Sequence, residues 1–307
     1  MRIAAMAAGA VGGYFAARMA AAGHEVFFIA RGANLDAIKK NGLKIESVNG
    51  DLHLPKANAT DDPKTVGPVD IVLFAVKLWD TEKAAELTRP MVAAHTRVIT
   101  LQNGIDAVER IGAILPADCV IGGTAAIAST IAAPGVIRNT SKFAGIRFGR
   151  ADNKPDATLQ AFVDAAKAAK VDAAIVADIQ FEIWNKFILL AAVSGATATL
   201  RAPIGPIRAD PELRAFVRQL MQETYAVGKA RGVNMEPSIV DQRMEYVLNT
   251  MPPTMRASMA VDLEHGYRLE LDWLSGKVRE LGRALNIPTP ASDMVYTVLK
   301  LHRLGSH

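Results

Sequence analysis

Seven residues near the start of the chain, Ala7-Ala8-Gly9-Ala10-Val11-Gly12-Gly13, have the composition and spacing to hold a phosphate. A short apolar run, Arg2 to Met6, precedes them, and strong helix formers continue from Tyr14 to Ala22, where Gly23 ends the helix. The pattern is small-x-Gly-x-x-Gly between a strand and a helix, the setting in which it binds a dinucleotide. Gly9 would let the backbone approach a pyrophosphate, and Gly12 would let helix and strand pack closely. The helix N-terminus offers unpaired N–H groups and a partial positive charge. Ala8, Gly9, Ala10, Val11 and Gly12 are therefore the candidate cofactor contacts. Ala7 stands where the pattern has its first Gly, and a methyl is tolerated there if φ stays negative. Taken alone, the same glycines would make a flexible N-terminal turn. A strand before and a strand after decide for the dinucleotide.

The second strand, Glu25 to Ala30, leads into Arg31-Gly32, with no carboxylate until Asp36. An acid at that place accepts from the ribose 2′-hydroxyl of NAD, whereas an Arg suits the 2′-phosphate of NADP. The sequence thus favours NADPH, against the plainer reading of Arg31 as a solvated strand-end charge. Two further strands end in polar residues at the edge where ligands gather in open α/β sheets. Asp70 to Val76 delivers Lys77, and Arg97 to Leu101 delivers Gln102-Asn103-Gly104. Lys186 lies in an apolar stretch with Trp184, Phe187 and Ile188. Its ammonium is either partly desolvated and able to release a proton, or snorkels from the helix to solvent; the residues alone leave both open. Ser258 and Asp262 share a helix face, about 6 Å apart along the axis, while Glu270 falls about 120° round from Ser258 if that helix is straight.

These residues need a scaffold, and the chain provides two textures. Up to residue 177 strand and helix signals alternate. Ala33 to Lys40 reads as a helix, Leu43 to Leu54 as a hairpin around Asn49-Gly50, a helix begins at Thr81, residues 119–149 read as antiparallel strands, Pro155 to Lys170 as a helix and Ala173 to Val176 as a last strand. From Asp178 onward strand signals vanish, and helical stretches span 179–200, 210–231, 236–249, 255–285 and 290–304. The expected architecture is α/β, a Rossmann-type doubly wound sheet over 1–177 and an all-helical domain over 178–307 for substrate binding and dimerisation.

Composition excludes several classes. At 307 residues with 50% apolar content, two cores can be filled. A net charge of +4 with dispersed Lys and Arg argues against nucleic-acid binding. Cys119 alone cannot make an internal disulfide, and the six scattered His have no metal-ligand spacing. No apolar stretch is long enough to span a bilayer, and the Ala-rich start lacks the layout of a signal peptide, so a cytosolic (cytoplasmic) protein is expected.

Over essentially its whole length the chain resembles the ketopantoate reductase (2-dehydropantoate 2-reductase) family. The resemblance rests on motifs in order: Ala-Gly-Ala-Val-Gly-Gly (8–13), Arg31, Ala-Val-Lys (75–77), Gln-Asn-Gly (102–104), Trp-Asn-Lys-Phe (184–187), and Ser-Met-x-x-Asp (258–262) leading to Glu270. It implies NADPH-dependent reduction of a 2-oxo acid to a 2-hydroxy acid in a cleft between the domains, as in pantothenate biosynthesis; a homodimer is expected from the apolar helix faces of the C-terminal domain. It also implies that Lys186 is the general acid with Glu270 as its partner. Asn103 would lie by nicotinamide and substrate, Lys77 by the cofactor, and Ser258 by the substrate carboxylate. Hydride delivery to a ketone leaves an alkoxide, which needs a proton donor and a positive charge; a Lys beside a carboxylate offers both.

Two positions depart from the family pattern. Four and eight residues after the catalytic Lys, where reductases carry substrate-contacting Asn, this chain has Leu190 and Ser194. Leu cannot hydrogen-bond a hydroxylated tail, so the 2-oxo acid chemistry is retained while the acid's identity is left open, with a more apolar acid as the alternative. A non-catalytic NADP-binding protein is a further alternative, against which Lys186 and Glu270 argue. Tyr225 and Lys229 mimic the Tyr-x-x-x-Lys of short-chain dehydrogenases but lie in the helical region, without the upstream Ser.

Overall fold

A computed structural model describes residues 1–306. It divides into two compact units, Met1–Glu182 and the chain from Ile183 onward. The strands of the first unit are β1 (Arg2–Met6), β2 (Glu25–Ile29), β3 (Leu43–Ser47), β4 (Leu52–Leu54), β5 (Asn58–Thr60), β6 (Ile71–Phe74), β7 (Arg97–Thr100), β8 (Val120–Ala126), β9 (Ser129–Ala133), β10 (Val136–Asn139), β11 (Gly145–Gly149) and β12 (Asp172–Ile175). Its helices are α1 (Ala10–Ala21), α2 (Gly32–Asn41), α3 (Thr81–Thr88), α4 (Ala107–Gly112) and α5 (Ala157–Ala168).

Eight strands form one sheet in the order β12-β11-β8-β7-β6-β1-β2-β5, parallel throughout except for β8 against β11. Strands buried on both faces read as continuous apolar runs, which is why β1, β6 and β7 carry no polar alternation. Side chains still divide by the period of two. Ile3, Ala5, Ile71, Leu73 and Ile99 join one core with residues of α1, α2 and α5, and Ala4, Met6, Val72, Phe74 and Val98 join the other with α3 and α4.

The remaining four strands form a second sheet, β4-β3-β10-β9. The expected hairpin is its β3–β4 edge, with Gly50 at φ +100°, and the expected antiparallel pair is β9–β10. Their union through parallel β3–β10 pairing, Lys44 opposite Val136, has no local signal. This sheet covers the outer face of α1. Leu43, Ile45 and Ile137 share a core with Tyr14, Phe15 and Ala17, and a methyl on Gly13 would sit 2.6 Å from Ile137 Cδ1. Covered on both sides, α1 is apolar almost all round, as a buried helix should be.

The second unit has no strand among its described residues. After α6 (Ile179–Thr199), which runs across the division between the units, come α7 (Ile204–Ala209), α8 (Pro211–Ala230), α9 (Ser238–Glu245) with a π-turn to Thr250, α10 (Ser258–Glu264), α11 (Ser275–Ala284) and α12 (Pro290–Leu299). One expectation is overturned here. The stretch 255–285 is two helices, because α10 stops at a Schellman motif. Gly266 takes φ +69°, its N–H donates to Leu263 O at 3.2 Å, and the Tyr267 N–H donates to Asp262 O at 2.8 Å. Glu270 therefore heads a short 3₁₀ turn, Leu271–Trp273, and its angle to Ser258 around a common helix has no meaning.

Candidate active site

In the first unit the glycine turn opens α1 as the spacing predicts. Gly9 is the N-cap with φ −83°, so its role is room rather than dihedral freedom: nothing lies within 4 Å of a methyl built on it. Gly12 does the packing. A methyl there would meet Ala7 O at 2.5 Å and Ala75 Cβ at 3.1 Å, so only Gly lets α1 approach the ends of β1 and β6. The first helical bond runs from Gly13 N–H to Gly9 O at 2.8 Å. No side chain caps the N-terminus and no acid stands in its first turn, an arrangement open to an anion. Ala8 differs from the other turn residues. Its N–H donates to Ile29 O at 2.7 Å and its carbonyl accepts from Asn34 Nδ2 at 3.2 Å, so its backbone holds the turn in place. Asn34 Oδ1 also accepts from Gly135 N–H at 2.8 Å, tying the turn to the small sheet.

Arg31 is extended and exposed just before α2, its guanidinium 3.6 Å from the Asp80 carboxylate. Lys77 is exposed after β6, its Nζ 5.5 Å from the centre of the Trp79 ring. Gln102, the residue of Gln102-Asn103-Gly104 given no role in the sequence, explains how the two strand ends stay together. Buried after β7, its Nε2 donates to Val76 O at 3.0 Å and Thr81 Oγ1 at 2.9 Å, which fixes the Lys77 turn against the turn bearing Asn103. There Gly104 adopts φ +100°. Arg110 secures the same segment: it grips Glu82 at 2.6 and 2.8 Å and donates to Leu78 O at 2.7 Å. Its hydrogen bonds hold the Glu82 carboxyl below the usual range.

In the second unit Lys186 lies on α6 in a stretch with Trp184 and Phe187, both buried, whose rings meet edge to face at 5.9 Å. The lysine is half-buried, and loss of water pushes its ammonium down to about 8, with the Glu270 carboxylate acting in the opposite direction. Glu270 is itself only 5% exposed. The sign of the Glu270 effect gives a test. Its negative charge favours the protonated ammonium, so Glu270→Gln is expected to move the alkaline limb of kcat/KM for reduction to lower pH. A limb that stays in place or rises would remove Glu270 from that role.

The other candidates on these helices separate. Leu190 is half-buried one turn beyond Lys186, and Ser258 is exposed at the start of α10. Ser194 does not match its expected role. It is 0% exposed, with a hydroxyl lacking a hydrogen-bond partner among the described residues, and so presents no surface to a substrate. An i+8 position keeps the helix face only if the helix lies straight along the site, and here α6 has entered the core by Ser194. Among the described residues no cluster of three or more His, Cys, Asp or Glu could hold a metal, and no helix is long and apolar enough to cross a membrane.

Comparison with known proteins accords with this layout. Residues 3–153 match the family model "Ketopantoate reductase PanE/ApbA", and residues 178–303 match its C-terminal companion. A 2-dehydropantoate 2-reductase of Mesorhizobium japonicum is 31% identical across 98% of this chain and 97% of its own length. The crystal structure of a PanE/ApbA family ketopantoate reductase from Ralstonia eutropha superposes with a TM-score of 0.90 at 31% identity, covering 99% of this chain and 98% of that one. A D-mandelate dehydrogenase solved with NADH and anilino(oxo)acetate shares the fold, with a TM-score of 0.90 at 18% identity over 99% of this chain and 98% of its own. With both family models matched in order on the two units they describe, the chain belongs to the ketopantoate reductase family.

Proposed function

We propose that this oxidoreductase uses NADPH to reduce a 2-oxo acid to a 2-hydroxy acid, with 2-dehydropantoate the first substrate to test. The observation that carries the reading is Lys186, desolvated on an apolar helix under the influence of the buried Glu270. The uncapped start of α1 and the open space at Gly9 fit a pyrophosphate, and Arg31 fits a 2′-phosphate. Bound NADPH supplies the hydride. As the ketone carbon accepts it, the carbonyl oxygen gains a proton from Lys186 Nζ, while the ammonium stabilises the developing charge. Glu270 keeps Lys186 protonated enough to serve near neutral pH. Asn103 orients the reacting groups, and the exposed Ser258 hydroxyl donates to the substrate carboxylate.

Leu190 favours a second reading within the same chemistry. A pocket built to bond a hydroxyl rejects analogues without it, because its polar groups are left unpaired; a Leu has none to leave. NADPH oxidation is expected with 2-oxo acids bearing alkyl or aryl tails at least as fast as with ketopantoate. Leu190→Asn is expected to raise kcat/KM for ketopantoate roughly five- to tenfold, the equivalent of one regained hydrogen bond. Ketopantoate turned over far faster than 2-oxoisovalerate, with no response to Leu190→Asn, would make this an ordinary ketopantoate reductase. No turnover of any 2-oxo acid would refute the reaction itself.

A further inference from the structure

The end of β2 carries no acid in sequence, yet the fold brings one there. Asp80 follows β6, 49 residues after Arg31, and its carboxylate stands 3.6 Å from the Arg31 guanidinium. An Asp at a helix N-cap ordinarily turns its side chain onto the first N–H groups of that helix. Asp80 occupies the N-cap of α3 but makes no such bond; its backbone, at φ −99° and ψ 3°, is outside the extended region that capping needs. The carboxylate faces Arg31 instead, and both side chains remain open to solvent, at 34% and 61% exposure.

We propose that Asp80 is a cofactor-selectivity residue, one that restrains the preference for the 2′-phosphorylated dinucleotide set by Arg31. The inference rests on the dinucleotide reading of the glycine turn. An exposed pair of this kind is weak, so a 2′-phosphate can draw Arg31 away from Asp80. It must do so beside a retained negative charge, which opposes the phosphate. A 2′-hydroxyl meets no such opposition and finds in the same carboxylate an acceptor. Arg31 and Asp80 together therefore give a site that admits both dinucleotides, where Arg31 alone would choose NADPH.

Fluorescence titration of wild type and Asp80→Asn with NADPH and with NADH tests this. In the variant the Kd for NADPH is expected to fall about two- to fivefold, as for the loss of one exposed charge interaction, with that for NADH unchanged or higher. The difference should shrink at high ionic strength. An unchanged NADPH-to-NADH ratio, or weaker NADPH binding in Asp80→Asn, would overturn the proposal, the latter because Asp80 would then be positioning Arg31. If wild type bound neither dinucleotide, the cofactor reading would fall as well; if it bound them and only the variant failed to respond, the Asp80 assignment alone would fall.

Discussion

Lys186→Met is expected to lower kcat by about a hundredfold or more while NADPH binding stays near wild type. Methionine keeps the length and apolar character of the lysine stem, so α6 should be undisturbed. What disappears is the proton and the positive charge at the position where an alkoxide forms. A pH profile separates this from a structural effect. With the Lys186 ammonium pushed down to about 8, the protonated form dominates below that pH. kcat/KM for reduction, which reports the free enzyme, should be level there and fall above it. Met has no proton to lose, so the residual activity of the variant should lack this limb. Turnover near the wild-type rate, or a limb that survives the substitution, would mean that Lys186 is not the acid.

The second large effect concerns stability. Glu223 on α8 is 2% exposed, yet it accepts from the Ala291 N–H at 2.8 Å, the Ser292 N–H at 2.9 Å and the Ser292 hydroxyl at 2.7 Å. A carboxylate from one helix thus caps the N-terminus of α12, where the dipole favours negative charge. Thr289, the N-cap residue of α12, makes no side-chain cap hydrogen bond, so nothing local replaces Glu223. Glu223→Ala would strand these donors in the core at a cost of about 3 kcal/mol, which lowers the melting temperature of the affected transition by roughly 10 °C. Glu223→Gln keeps the size but turns an amide N–H₂ toward donors, and should recover only part of the loss. A melting temperature within a degree or two of wild type for both variants would show that α12 does not depend on this cap.

The elements were legible where a pattern is local. Continuous apolar runs marked β1, β6 and β7, the glycine spacing marked α1, and Asn49-Gly50 marked the β3–β4 turn, each from residues within a few positions of one another. What escaped was of two kinds. The β3–β10 pairing, the Asp80 carboxylate beside Arg31 and the Glu223 cap join residues far apart in the chain, and no periodicity reports such meetings. The break at Gly266 was local and could have been found: Gly after Glu264-His265 is a helix-stop signal, outweighed by the helical character of the residues on either side. Ser194 was misplaced for a related reason. Its spacing from Lys186 fixes a helix face, but whether that face is open or packed depends on helices far along the chain.

The small sheet over α1 imposes an order on synthesis. The helix that presents the phosphate-binding turn leaves the ribosome more than a hundred residues before the strands that cover its outer face, β9 and β10, are complete at Asn139. Until they emerge, Tyr14, Phe15 and their neighbours have only part of their eventual burial, and the β3–β10 pairing must wait with them. Pairing so distant in sequence is slow and leaves apolar surface exposed meanwhile. The nascent chain thus carries an adhesive helix through more than a hundred residues of elongation. Substitutions that weaken β9 or β10 should therefore reduce the yield of soluble protein before they affect the rate of any molecule that has folded.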